Sequence, residues 1–331
     1  MESLFSTLIL ALLLAICTNA LAQVEQKIAE IKQQKGISPE YLVALSETEG
    51  LSENQKTAIK QLAKEMLTQQ KKKATQKTAT DTALKNAINA EFKKYTAPQF
   101  ANVGLDRFLG VASNATTPSA KAGILLAAAN KATQDNNVDQ LRDIFGKLDQ
   151  VTEVSKSQLL EYLTYFCGKF TLVPKQGVNR TQITENRVKI IQFLLEKIWN
   201  AYAEENFALA VKTANMANVF ANGKSGQVIA LRQSFYLSGK GHTELLQRVK
   251  KELARANEFQ GLYRASVASF DATGNATTPG ALYNRGLYLI TTRGDWDAAI
   301  RLFSISNNVV LKTAATTEFS SDANNLQRGG A

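Results

Sequence analysis

Histidine occurs once in this chain and cysteine twice, and long alternating runs of β-branched and aromatic residues are absent. Each shortage excludes a class of chemistry. A serine or cysteine triad needs a histidine base. His242, within Gly-Lys-Gly-His-Thr, reads instead as a structural or solvent-facing side chain. One histidine and so few thiols cannot furnish an ordinary zinc site. Cys17 lies in an apolar leading segment. Once that segment is removed Cys167 stands alone, and no intramolecular disulfide can form. Its setting, Tyr162-Leu-Thr-Tyr-Phe-Cys-Gly168, is apolar, so Cys167 is expected as a small core residue. Gly223-Lys-Ser225 ends like a phosphate loop but has Asn218 where the leading glycine belongs. The stretch 135–143 lacks the glycine and terminal glutamate of a calcium loop. Glu204 and Glu205 are adjacent carboxylates, and sequence neighbours point to different faces of a helix. No catalytic, cofactor-binding or metal-ligating residue is therefore assigned. No cofactor is expected, and the chain is not expected to be an enzyme.

What is present is helical material. Apolar residues make up 44% and charged residues 21%. Ala, Lys, Gln, Leu and Glu dominate, all of which lose little rotamer freedom in a helix. An all-α fold follows. The formal net charge is +10, which suits polyanions or acidic envelope polymers. The excess is spread along the chain. Its densest runs, Lys71-Lys-Lys73 and Arg248-Val-Lys-Lys251, read as solvated helix faces. No aromatics interleave with them, so nucleic acid is not an expected partner.

Residues 4–16 form an apolar run broken only by Ser6 and Thr7. It is followed by Ala20-Leu-Ala22, a small-x-small pattern suited to a signal peptidase. The run is short for a membrane span. Residues 1–22 are expected to be a cleaved signal peptide, giving a secreted or periplasmic, envelope-located protein that meets the membrane only through this segment.

Residues 23–97 read as a polar, Lys/Gln-rich helical arm and 98–331 as a helical-repeat domain. In the arm, Val24, Ile28 and Ile31 mark a short helix, and Ser38-Pro39 restarts one with proline in its first turn. Ser52-Glu-Asn-Gln55 has the form of a capping box, ahead of a thin stripe of Ile59, Leu62, Met66 and Leu67. The tract 69–82 is a hinge, a frayed helix or a solvent-bridging helix. Beyond it, Asn114-Ala-Thr-Thr-Pro118 is a helix start, and the same five residues recur at Asn275-Ala-Thr-Thr-Pro279, again read as a helix start. Both contain Asn-x-Thr, as does Asn179-Arg-Thr181. Helices are expected over 120–133, 138–148, from 156 onward and over 183–204, with 170–179 as a connection. Further helices are expected from 206 to 222 and over 227–257, the last divided at Gly239-Lys-Gly241.

Helices joined by short turns are the mark of stacked hairpins. Residues 286–303 read as two helices joined by Arg293-Gly-Asp295, with Asp295 capping the second and Trp296 wedged between them beside Ala299. Phe207 and Ala210 hold the corresponding positions after Trp199. The turn before Trp296 runs one residue long against the usual tetratricopeptide register, and no 34-residue period appears. The expected architecture is a degenerate tetratricopeptide-like array of antiparallel hairpins.

Asn284-Arg-Gly-Leu-Tyr-Leu, Arg293-Gly-Asp-Trp-Asp, Ile300-Arg-Leu-Phe and Val310-Leu-Lys-Thr-Ala314 together resemble the end of a group of secreted proteins from planctomycete-type bacteria. That resemblance implies a secreted helical scaffold and assigns it no activity. The function expected is that of an exported, non-enzymatic scaffold or interaction protein that binds a protein or envelope component. The alternatives are a glycan-active hydrolase with paired carboxylates, or a polyanion-binding envelope protein.

Overall fold

A computed structural model describes residues 24–26, 28–31, 37–170, 180–222 and 242–328. Every regular element among them is helical, apart from an isolated antiparallel bridge between Phe270 and Ala276. The chain divides into two compact units. One holds residues up to 74 together with those from 261 onward, and the other holds 75–260. The divisions fall inside helices, whereas the change of composition lies near 97.

Helical turns at 24–26 and 28–31 precede α1 (Pro39–Ser46), α2 (Glu53–Tyr95), a 3-10 turn (Pro98–Phe100) and α3 (Leu105–Ser113). Next come α4 (Pro118–Gln134), α5 (Val138–Leu148), α6 (Lys156–Cys167), α7 (Arg180–Lys197), α8 (Trp199–Ala203) and α9 (Phe207–Asn222). The chain continues with α10 (Thr243–Ala268), α11 (Ala281–Tyr288), a π turn (Leu289–Arg293), α12 (Trp296–Ser304) and α13 (Val309–Arg328).

The starts are set by local chemistry. Ser38 Oγ accepts from the Tyr41 N–H, with Pro39 in the first turn. At α2 the Ser52 N–H donates to Gln55 Oε1 at 3.0 Å while the Gln55 N–H donates to Ser52 Oγ at 3.3 Å, a reciprocal capping box. Thr117, Asn137, Ser155 and Asp295 cap α4, α5, α6 and α12 in the same way. The tract 69–82 is helical throughout, and its residues 69–80 are exposed.

In the 75–260 unit the core is built on α4, whose residues 122–129 are all buried. Alanine at four of those eight positions lets neighbouring helices approach closely. Helix α4 packs against α3, α5 and α6, while α9 packs against α6, α7 and α8. Phe92, Phe145, Phe166 and Phe193 meet edge to face, with ring centres 6.1 Å (Phe92–Phe166), 6.4 Å (Phe145–Phe166) and 6.1 Å (Phe145–Phe193) apart. Cys167 lies among them fully buried, and burial pushes its thiol well above the usual range.

Four local expectations are corrected. Trp296 is no wedge: it is 60% exposed, and Phe303 fills the corner instead, lying against Gly286 where a Cβ would collide with its ring. A tryptophan directly after an N-cap projects from the first turn, ahead of the face that α12 buries through Ala299, Leu302 and Phe303. The Asn275-Ala-Thr-Thr-Pro279 copy does not cap a helix. Asn275 closes a loop on Asp271, and α11 begins at Ala281 without a side-chain cap. The helix expected over 183–204 is interrupted at Ile198, and α10 runs on to Ala268. The expectations for 170–179 beyond Phe170, for Gly223-Lys-Ser225 and for Gly239-Lys-Gly241 lie outside the described residues.

Candidate functional site

Two recesses concentrate polar side chains, one in each unit. The first, of about 520 Å³, lies between α2 and α6 with Leu126 of α4 at its back. Asn86, Asn89, Ala90 and Lys93 recur at helical spacing on α2, and Glu161, Tyr162, Tyr165 and Phe166 do so on α6. The Tyr162 hydroxyl donates to Asn89 Oδ1 at 2.9 Å. Lys85 Nζ stands 2.7 Å from Glu161 Oε2, so the carboxylate in this recess is already matched by a cation. Burial, reinforced by the Glu161 charge, pushes the Tyr162 phenol up to about 12. Tyr165 is 49% exposed, with the Lys169 ammonium 4.2 Å from its ring centre. Gln158 is only 7% exposed and approaches Tyr162, yet neither polar atom of its amide completes a hydrogen bond. A buried amide left so is unusual and costly in a folded chain.

The second recess, of about 530 Å³, has Glu40 of α1 and Glu47 at its C-terminal cap on one side and the 270–279 loop on the other. Glu40 Oε1 is 3.5 Å from an Arg285 Nη, and Glu47 Oε1 is 2.6 Å from Lys60 Nζ. The hydrogen bond from Lys60 and its charge hold the Glu47 carboxyl below its usual range. That is the wrong direction for a general acid, which must hold its proton near neutral pH. The loop is organised by Asp271. Its Oδ1 accepts from the Thr273 N–H at 2.8 Å, the Thr273 hydroxyl at 2.7 Å and the Asn275 N–H at 2.9 Å. The side-chain hydrogen bonds lead in holding this carboxyl ionised far below its usual range.

Of the residues weighed in the sequence, the adjacent carboxylates Glu204 and Glu205 are placed by the backbone around α6 and α8. Glu204 accepts from the Lys156 N–H at 2.8 Å and the Ser157 N–H at 3.1 Å, so it caps α6 from a distant part of the chain. Its neighbour Glu205 has a left-handed backbone with φ 56°. Replacing Glu204 by alanine should cost about 1–2 kcal/mol, as lost caps do, while the Glu204→Gln variant retains part of that. Urea denaturation of the two variants checks this, and equal stability of Glu204→Ala and the parent chain would contradict it.

Arg187 and Gln158 were not singled out by sequence reasoning. Arg187 is 3% exposed and donates from Nε to the Phe220 carbonyl at 3.0 Å, a cation at the end of α9. Nothing in a helical pattern marks an arginine as facing inward. Gln158 directly precedes a leucine pair, a pattern that gives no hint of a stranded amide. Among the described residues no group of three or more His, Cys, Asp or Glu could hold a metal ion, and no helix is long and apolar enough to cross a membrane.

Comparison with known protein families, curated proteins and solved structures finds no match to this chain.

Proposed function

We propose that this chain is an exported, non-enzymatic binding protein whose helices, stacked as degenerate tetratricopeptide-like hairpins, present a recess to an envelope component. The observation that carries this reading is the α2–α6 recess. It offers amides, tyrosines and a lysine, and its carboxylate, Glu161, is ion-paired with Lys85. Such a lining suits holding a polar ligand. Hydrolysis of a glycan would require two carboxylates in opposed roles. Neighbour packing of α3 on α4, α4 on α5, α11 on α12 and α12 on α13 supports the hairpin reading. The apolar leader with its Ala20-Leu-Ala22 end supports export.

The test incubates the full chain with envelope polymers, sedimenting them for bound protein and assaying the supernatant for new reducing ends. Saturable retention without product is expected. Product that disappears in the Glu161→Gln variant would establish the hydrolase instead.

A second reading, a surface that holds polyanions, is favoured by the exposure of Lys71, Lys72 and Lys73. It predicts release between about 0.1 and 1 M salt, where the screening length falls from about 10 to 3 Å.

A further inference from the structure

Resting on the binding reading above, we propose that the α2–α6 recess takes an acidic saccharide, a sugar ring carrying a carboxylate. The back of the recess is apolar, formed by Leu126, Phe166 and Phe92, and Tyr165 stands half exposed at its mouth. A pyranose has the complementary character: C–H groups on its faces and hydroxyls around its edge. Aromatic surface with a few placed polar groups is how a recess of this size holds such a ring.

The polar groups are oriented for hydroxyls. The Tyr162 O–H is given to Asn89 Oδ1. That bond assigns the Asn89 amide, leaving its Nδ2 as a donor and the Tyr162 oxygen as an acceptor. A sugar hydroxyl both donates and accepts, so one hydroxyl satisfies the pair together. The Asn86 amide follows one turn earlier on the same face of α2, and Ala90 between Asn86 and Lys93 leaves room for the ring.

Charge selects the acid. Glu161 is countered by Lys85. The Lys93 ammonium borders the recess with no acidic partner among the described residues, and Lys169 stands over Tyr165. The surplus is positive on the open side, where a carboxylate of the ligand would lie in reach of solvent-exposed Lys93.

The experiment is calorimetric titration of the full chain with trigalacturonate and with the neutral trisaccharide galactotriose, at physiological salt. Trigalacturonate is expected to bind at one site per chain and galactotriose more weakly. Lys93→Gln should weaken trigalacturonate by about tenfold or more, the scale of a hydrogen bond between charged groups, and leave galactotriose unchanged. Tyr165→Ala should weaken both. Lys147→Gln, on the exposed side of α5 and outside the recess, should change neither. Equal affinity for the two sugars, binding that survives Tyr165→Ala, or loss matched by Lys147→Gln would overturn the assignment. Silence toward both sugars while the chain still sediments with envelope polymers would overturn the saccharide and leave the binding reading intact. Cleavage of trigalacturonate would overturn the binding reading itself. Circular dichroism of each variant separates lost binding from lost folding.

Discussion

Phe166→Ala should cost about 3–5 kcal/mol, the range for removing a buried aromatic ring. Phe166 is 1% exposed and meets three other rings, Phe92, Phe145 and Tyr165. Its removal opens a cavity where α2, α5 and α6 converge. The lining cannot collapse easily, because the flanking residues Leu163 and Cys167 are held in their own turns of α6 and are themselves buried. For a unit of this size a change of 3–5 kcal/mol lowers the melting temperature by roughly 6–20 °C. Phe166→Leu should show less than half of the loss. Calorimetric or circular-dichroism melting measures both. A Phe166→Ala variant within about 1 kcal/mol of the parent would show that the cluster is not the centre of this core.

Gly123→Ala is the second large effect, and its sign is the test. In an ordinary helix interior this exchange stabilises by up to about 1 kcal/mol. At Gly123 the added methyl would run into the Glu91 Cβ and lie 3.0 Å from both the Ile88 carbonyl oxygen and the Phe92 nitrogen. Those are backbone atoms of α2 and cannot rotate away, so α4 and α2 must separate. Overpacking of this kind costs about 1–3 kcal/mol, which outweighs the gain in propensity. Gly146 provides the matched control. It lies within α5 on the exposed side, and a methyl there meets nothing within 4 Å. Gly146→Ala should therefore stabilise by up to about 1 kcal/mol while Gly123→Ala destabilises. If the two variants shift stability in the same direction in urea denaturation, the close approach of α2 and α4 is wrong.

The pairing of these glycines shows where reading a sequence stops. Both sit in helical patterns and look alike along the chain. What distinguishes them is the backbone of another helix, about thirty residues away at Gly123 and absent at Gly146. The two copies of Asn-Ala-Thr-Thr-Pro teach the same lesson. At 114–118 the chain has a helix to start, and Thr117 caps it. At 275–279 the chain is instead held to Asp271, whose carboxylate accepts four bonds from Thr273 and Asn275, and the next helix starts only at Ala281. Trp296 misled because a large ring in a hairpin is commonly buried. Here Phe303, seven residues on, reaches the corner first.

The candidate site was legible only in its absences. One histidine and two cysteines argued against the usual catalytic sets without any coordinates. The α2–α6 recess was invisible, since its residues come from a polar helix and a core helix separated by some sixty positions. Neither stretch carries a motif.

By itself the sequence determined the helical class and the helix starts at Ser38, Ser52, Thr117 and Asp295. These depend on interactions within about four residues, and the pattern of side chains states them directly. The tertiary structure alone decided which glycine touches a neighbour, that Glu204 caps α6, and that two tyrosines, two asparagines and a lysine share one recess. Those depend on contacts between distant segments, and no local periodicity encodes which helix a given face will meet.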